Sequence, residues 1–170
     1  MSNVVGELVY VSVGSNINRS HNVRSGVAAI REHFGQLKLS PVYESRAEGF
    51  TGADFYNLVL SFYAQDVITT RAILKNIEAQ HKRSRSDHKF CDRKLDIDIL
   101  LFGERILYAQ NLDIPRREIL QYAFVLLPLA KLSPQSLHPV NGESYADLWS
   151  RFAAEHTNAT AGLTEVAFTW

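Results

Sequence analysis

The stretch Leu95–Gly103 alternates apolar with acidic residues and then runs into an apolar segment that ends at a glycine. In a β-strand, residues two apart project from the same face, about 6.6 Å apart along the chain. The pattern therefore predicts a strand that carries Asp96 and Asp98 on one face. The apolar residues that alternate with them project from the opposite face and pack against a core.

The acidic face of this strand admits two interpretations. Two carboxylates at one spot repel each other unless a cation lies between them. Magnesium prefers such hard oxygen ligands and leaves positions for phosphate oxygens, so Asp96 and Asp98 predict a site for one Mg²⁺ ion or for two. The same alternation is also typical of a strand whose polar face lies in water.

Basic residues are concentrated immediately before the strand. They are Lys82, Arg83, Arg85, Lys89, Arg93 and Lys94. Taken alone, such a run is usually a solvated loop. Beside a metal site it predicts a clamp for a polyphosphate, because guanidinium groups bind phosphate oxygens in a bidentate fashion. The chain has no Gly-rich G-x-x-x-x-G-K-[ST] loop, and no G-x-G-x-x-G follows a strand, which argues against a P-loop or Rossmann mechanism.

Hydrophobic periodicity predicts the order of the elements. Strands are expected at Leu8–Val13, Leu37–Tyr43, Phe55–Tyr63 and Leu95–Gly103, and helices at Arg19–Phe34 and Asp66–Gln80. The order βαββαβ favours an α+β fold, a ferredoxin-like two-layer sandwich with helices on one face of an antiparallel sheet. C-terminal additions follow this core: a short strand near Arg105–Tyr108 and helices at Arg117–Leu132 and Ser144–Ala154. The long loop Glu44–Asp54 is expected to be functional.

The bulk properties predict a single soluble domain over residues 1–170. The net charge is +0, so the chain as a whole offers no field that would attract nucleic acid or an anionic membrane. No segment approaches the roughly 20 apolar residues of a membrane span. The N-terminus lacks the features of a secretory signal, and the single cysteine, Cys91, fits a reducing compartment. We therefore expect a cytoplasmic protein.

Two aromatic residues could form a slot for a flat heterocycle. Phe55 and Phe124 would supply stacking faces, and Asn57 would supply an amide for the edge of the ring. On the residues alone, these side chains could equally be part of the core.

Taken in order, the motifs of this chain resemble those of the 6-hydroxymethyl-7,8-dihydropterin pyrophosphokinases. The likeness rests on these segments: Val11–Asn16; Ser40–Ser45; Phe55–Asn57; Glu78 with Arg83 and Arg85; Arg93–Gly103; Ile114–Arg116; and Ala123–Leu129. Seven collinear matches are far more specific than any one of them. The resemblance implies a magnesium-dependent enzyme of folate biosynthesis that transfers diphosphate from ATP to the pterin and releases AMP. It also implies a monomer whose partners are small molecules.

The resemblance further implies roles for individual residues. Two magnesium ions would be bound by Asp96 and Asp98, of which Asp98 would also help to accept the proton of the alcohol. The pterin would contact Ser45, Phe55, Asn57, Phe90 and Phe124. ATP would contact Glu78, Arg83, Arg85, Arg93, Ile99 and Arg116. Arg83 and Arg93, together with Asp98, would form the catalytic set.

The chain also departs from the family pattern. Where the family usually has Arg-Trp-Gly-Pro-Arg, this chain has Lys89–Arg93, with Phe90 in place of the tryptophan and Cys91-Asp92 in place of Gly-Pro. Arg116 stands where a histidine is common, and Tyr122 where an arginine is. One alternative is therefore a paralogue that acts on, or only binds, another pterin alcohol. A remote alternative is an RNA-binding ferredoxin-like module, although the aromatic strand signature of such modules is missing and the acidic pair would repel phosphates.

Overall fold

The computed structural model describes residues 6–81 and 94–170. Its strands are β1 (Glu7–Ser15), β2 (Lys38–Leu39), β3 (Val42–Ser45), β4 (Phe55–Ala64), β5 (Asp96–Phe102) and β6 (Thr164–Val166). Its α-helices are α1 (Arg19–Phe34), α2 (Val67–Gln80), α3 (Ala123–Leu132), α4 (Tyr145–Glu155) and α5 (Thr157–Ala161), and a 3₁₀ helix covers Arg117–Leu120.

The strands form one antiparallel sheet with the order β5-β1-β4-β3-β6, and the short β2 also pairs with β4. Strand β1 therefore lies between β4 and β5, which are distant from each other in the sequence. The predicted mixed fold with an antiparallel sheet and helices is confirmed.

The sheet buries both of its faces. On one face, alternate residues of β1 and β4 pack under α1 and α2, with Val11, Leu60, Ile30 and Ile77 fully buried there. On the other face, Tyr10 and Val59 join a second cluster with α3 and α4. The predicted two-layer core is thus covered on its second face by the C-terminal helices α3 and α4. The segments after Gly103 bury the second face, because the residues that point to it are apolar as well.

Local sequence signals explain three of the described helix ends. Helix α2 begins at the N-cap Asp66, whose carboxylate accepts a hydrogen bond from the Thr69 backbone N–H. Helix α4 begins in the same way at Ser144. Helix α1 ends at Gly35, which has a positive φ of 78° and little steric cost for it.

Other predicted bounds were wrong. The strand expected over Leu37–Tyr43 is divided into β2 and β3 at Ser40-Pro41, since proline has no N–H for the ladder. The helix expected over Arg117–Leu132 is divided into a 3₁₀ helix and α3. The strand expected near Arg105–Tyr108 is reduced to one bridge, between Leu107 and Ile114.

The C-terminal segment was not assigned a role by its sequence. It adds β6 to the edge of the sheet beside β3, and Phe168 packs edge-on against Tyr56. Within residues 6–81 and 94–170, we find no helix that is both long enough and apolar enough to cross a membrane.

Candidate active site

A cleft of about 550 Å³ opens on the sheet face that α3 covers. Its floor comes from three adjacent strands, because Gly14 of β1 is in register with Asn57 of β4 on one side and with Asp96 of β5 on the other. Asp98 lies opposite Ser12 in the same way. The sheet thus brings together the amide and the two carboxylates that the sequence separates by about forty positions.

The aromatic end of this cleft contains the residues predicted to contact the pterin. Phe55 and Phe124 both line it and are only partly buried, so they are not simply core residues. The Asn57 side-chain amide donates a hydrogen bond of 2.7 Å to Ser45 Oγ, and both residues are buried. This bond fixes the orientation of the amide. Phe124 stacks on Tyr122 with ring centroids 5.1 Å apart, which fixes the aromatic side of the slot.

The loop between β3 and β4 closes one side of the slot, and its ends are anchored. Asn16 donates a hydrogen bond of 3.0 Å to the Ala53 carbonyl, and Arg19 donates one of 3.0 Å to the Asp54 carbonyl. Arg19 also pairs with Glu44 at 2.5 Å. The predicted functional loop is therefore attached to the first turn of α1 and to the end of β1.

The acidic end of the cleft contains Asp96 and Asp98 on the face that the alternation predicted. Two protein cations flank Asp98: Lys75 Nζ lies 3.6 Å from Oδ1, and an Arg116 guanidinium nitrogen lies 3.5 Å from Oδ2. The Arg116 backbone N–H donates to the Leu100 carbonyl, which holds this residue beside β5. The same guanidinium pairs with Glu118 at 3.1 Å.

The chemistry of the Asp96 and Asp98 carboxylates fits a magnesium site. Both are hard oxygen donors on one face, and both open to the same cleft. The contacts of Asp98 with Lys75 and Arg116 are longer than ordinary hydrogen bonds, so they leave lone pairs for a metal. The described ranges contain no cluster of three or more His, Cys, Asp or Glu side chains for a metal, so substrate and water oxygens would have to complete the coordination.

A second cleft of about 240 Å³ adjoins the first. Its described lining combines polar and charged residues with five apolar side chains: Leu74, Ile97, Ile99, Leu112 and Ile114. Among the described residues, three line both clefts, namely Lys75, Asp98 and Arg116. The two clefts therefore meet at Asp98.

Glu78, predicted to contact ATP, lies behind the clefts rather than in them. It is 2% exposed, and its carboxylate accepts a hydrogen bond of 2.6 Å from the Ile97 backbone N–H. It also pairs with Lys75 at 3.1 Å. Glu78 thus connects α2 to the strand that carries the acidic pair.

Four other predicted site residues, Arg83, Arg85, Phe90 and Arg93, lie outside the described residues. Conversely, the sequence patterns predicted no role for Lys75 or Glu118. The signal available for Lys75 was its position three residues before Glu78 on a predicted helix, a spacing at which side chains meet.

Residues 10–134 match the model of the family described as 7,8-dihydro-6-hydroxymethylpterin-pyrophosphokinase (HPPK). The chain belongs to the HPPK family. The family membership that the motifs predicted is confirmed, and the match includes every described residue that lines the two clefts.

Curated relatives agree with the HPPK assignment. A 2-amino-4-hydroxy-6-hydroxymethyldihydropteridine pyrophosphokinase of Pseudomonas aeruginosa is 35% identical over 133 residues, which are 74% of this chain and 80% of that protein. The enzyme of the same name from Aquifex aeolicus is 29% identical over 136 residues, 78% of this chain and 84% of that protein. The folic acid synthesis protein fol1 of Pneumocystis carinii is 31% identical over 157 residues, 88% of this chain but 21% of that protein.

Solved structures agree at the level of the fold. The HPPK-DHPS of Plasmodium falciparum, in a crystal structure with SDX-DHP, superposes with a TM-score of 0.77 at 13% identity. The likeness covers 94% of this chain and 46% of that one, so this chain spans a little under half of it. At this identity the comparison concerns the fold alone.

Proposed function

We propose that this chain catalyses the ATP-dependent transfer of diphosphate to 6-hydroxymethyl-7,8-dihydropterin, a step of folate biosynthesis that yields the pterin diphosphate and AMP. The observation that carries this proposal is the junction of the two clefts. An aromatic slot with an oriented amide and a second cleft meet at Asp98, which Lys75 and Arg116 flank. A transfer between two bound substrates needs this arrangement, because it places the reacting groups side by side.

The aromatic slot is the proposed pterin site. Phe55 and Phe124 would stack on the two faces of the flat ring system, and Asn57 would bind its edge. Because its amide nitrogen already donates to Ser45, Asn57 would offer its oxygen to the donor groups of the pterin. Phe90 is assigned to the same site through the family resemblance.

The second cleft is the proposed nucleoside site, and Ile99 lies in its wall. The polyphosphate would then extend toward Arg116 at the junction. Arg83, Arg85 and Arg93 are proposed phosphate contacts through the family resemblance. We propose that Glu78 acts on ATP indirectly, since its carboxylate is buried and bonded to the protein.

Asp96 and Asp98 are the proposed ligands of two magnesium ions. When bound, these ions would offset the negative charge of the phosphates and hold their oxygens in place. The described carboxylates fit that role because they are hard donors that open directly on the junction.

In the proposed reaction, the hydroxymethyl oxygen of the pterin attacks the β-phosphorus of ATP in line. The new O–P bond forms as the bond between the β-phosphorus and the α,β-bridging oxygen breaks, and AMP leaves with that oxygen. The hydroxyl proton passes to Asp98, which lies in the same cleft. Arg116 and the predicted loop arginines Arg83 and Arg93 would stabilise the charge on the transferred group.

Several broader assignments accompany this proposal. We propose a ferredoxin-like core, supported by the antiparallel order β5-β1-β4-β3 with helical connections after β1 and β4. We also propose that residues 1–170 act as one domain and as a monomer in the cytoplasm, with no nucleic acid partner. The net charge of +0 and the sharing of one sheet by both hydrophobic clusters support these assignments.

The test is AMP release from ATP, with and without 6-hydroxymethyl-7,8-dihydropterin, in the presence of Mg²⁺. We expect pterin-dependent AMP from the wild type and a loss of at least about 100-fold in Asp96→Asn and Asp98→Asn, since each loses a charged ligand. Asp147→Asn, an exposed change in α4, is the matched control and should retain full activity. A folded wild type that binds the pterin but forms no AMP would refute the proposal in favour of a binding protein.

A further inference from the structure

Lys75 is the cation at the junction that neither the motifs nor the family resemblance assigned. It projects from α2, and its side chain lines both the aromatic cleft and the second cleft. Among the described residues, Arg116 and Asp98 also line both. A substrate that extends from one cleft into the other therefore passes these three side chains.

Acceptors from α2 and β5 hold the Lys75 ammonium in place. Lys75 Nζ donates to the Ile97 carbonyl at 3.1 Å and lies 3.1 Å from each oxygen of the buried Glu78 carboxylate. An ammonium has three N–H donors. With two of them directed to Ile97 and Glu78, the third is left for the junction, where Asp98 Oδ1 lies at 3.6 Å.

The exposure of the two partners separates this arrangement from an ordinary surface ion pair. The Glu78 side chain is 2% exposed, whereas that of Lys75 is 40% exposed, so the carboxylate is buried while the ammonium reaches the cleft. A helical i,i+3 pair in water contributes only a few tenths of a kcal/mol and needs no such burial. A buried carboxylate that fixes a half-exposed cation is instead typical of a site prepared for an anion, because the cation loses little freedom when the anion binds.

We propose that Lys75 is a substrate-binding residue whose ammonium binds the polyphosphate of ATP at the point where it passes from the second cleft into the pterin cleft. Glu78 is the positioning residue for this lysine, and it acts on the nucleotide only through Lys75. The inference rests on the proposed function, since it takes the nucleotide to be ATP and the second substrate to be the pterin.

The experiment measures binding without turnover. The probe is adenosine 5′-(α,β-methylene)triphosphate with Mg²⁺, whose bridging carbon prevents cleavage at the reacting position, followed by isothermal titration calorimetry. Because a hydrogen bond to a charged group is lost, Lys75→Met should weaken binding of the probe about 10- to 100-fold. Lys75→Arg should recover most of that loss, since it keeps a cation at the junction. Lys38→Met, at an exposed position of β2, is the matched control and should bind like the wild type.

Binding of the pterin alone separates a phosphate contact from damage to the whole site. In Lys75→Met, the affinity for the pterin should stay within about twofold of the wild type, and the KM for ATP should rise far more than the KM for the pterin. If Lys75→Met fails to fold because the buried Glu78 carboxylate has lost the Lys75 cation, the double variant Lys75→Met/Glu78→Gln removes the buried charge and serves in its place.

Failure of the proposed function and failure of the role of Lys75 give different results. A wild type that binds neither the probe nor the pterin would overturn the proposed function itself. A wild type that binds both, with a Lys75→Met variant that binds the probe within about twofold, would overturn the role of Lys75 alone. Equal losses of probe and pterin affinity in Lys75→Met would also overturn it, because they indicate a collapsed cleft.

Discussion

Replacing Glu78 by alanine should destabilise the fold by an amount that the structure allows us to work out. The change removes a buried carboxylate that accepts a 2.6 Å hydrogen bond from the Ile97 backbone N–H, nineteen positions away in the sequence. Ile97 is 1% exposed, so water cannot easily replace the lost acceptor. The change also removes the partner that holds Lys75.

The expected loss follows from these contacts. Removing one partner of a buried charged pair costs about 3–5 kcal/mol when the other partner is left without water. Here the Lys75 side chain is 40% exposed and can be rehydrated, which leaves mainly the unsatisfied Ile97 N–H and the small cavity. We therefore expect a loss at the lower end, about 3 kcal/mol in the free energy of unfolding. For a domain of this size, that corresponds to a fall in Tm of about 6–12 °C.

The assay is urea denaturation, checked by thermal melting. Glu78→Gln keeps an oxygen that can accept from Ile97 and should cost only about 1 kcal/mol. Glu155→Ala, an exposed change near the end of α4, is the control and should fall within about 0.5 kcal/mol of the wild type. A Glu78→Ala variant within about 1 kcal/mol of the wild type would show that this carboxylate does not connect α2 to β5 as we argue.

Three further predictions test other parts of the molecule. In Gly14→Ala, the new Cβ would lie 3.0 Å from Asn57 Oδ1, so pterin affinity, measured by fluorescence, should fall while ATP-analogue binding is retained. In Gly26→Ala, the new Cβ would lie 2.8 Å from a methyl of the buried Leu95. Overpacking should cost about 1–3 kcal/mol, which outweighs the gain of about 1 kcal/mol in helix propensity. We therefore expect a lower midpoint of urea denaturation. Burial lowers the pKa of His138, partly offset by a nearby glutamate, so the folded protein binds this proton less readily than the unfolded chain. Neutral His138 therefore contributes to the free energy of unfolding above the unfolded-state pKa of about 6.5, and this contribution is lost as pH falls toward the lower folded-state pKa. In His138→Gln, the free energy of unfolding should change less with pH over that range.

The fold could be predicted from the sequence where local patterns decide it. The period-2 alternation around Asp96 and Asp98 indicated a strand and its acidic face, and both are observed. The predicted bounds were wrong where a proline interrupts a strand pattern, as at Ser40-Pro41, and where one predicted helix is divided into a 3₁₀ helix and an α-helix. The C-terminal helices were predicted, but their position on the second face of the sheet was not, because the pattern of an apolar strand is the same whether one face or both are covered.

The residues of the candidate site were likewise predicted only where a local motif contains them. Motif order predicted the acidic pair, the two phenylalanines and Asn57, and the structure brings them to one cleft. The junction cation Lys75 was missed, because a lysine on a helix is ordinarily a solvated residue. Its role depends on a contact with β5 that no local pattern contains.

By itself, the sequence determined the positions of most core strands and helices, which face of the last core strand is acidic, and the family to which the chain belongs. These properties depend on side-chain periodicity and motif order, which are local. Only the tertiary structure decided that β1 lies between β4 and β5, that two clefts meet at Asp98, and that Glu78 is buried behind Lys75. Those properties depend on strand register and packing between distant segments, where a shift of one residue would turn every side chain to the other face.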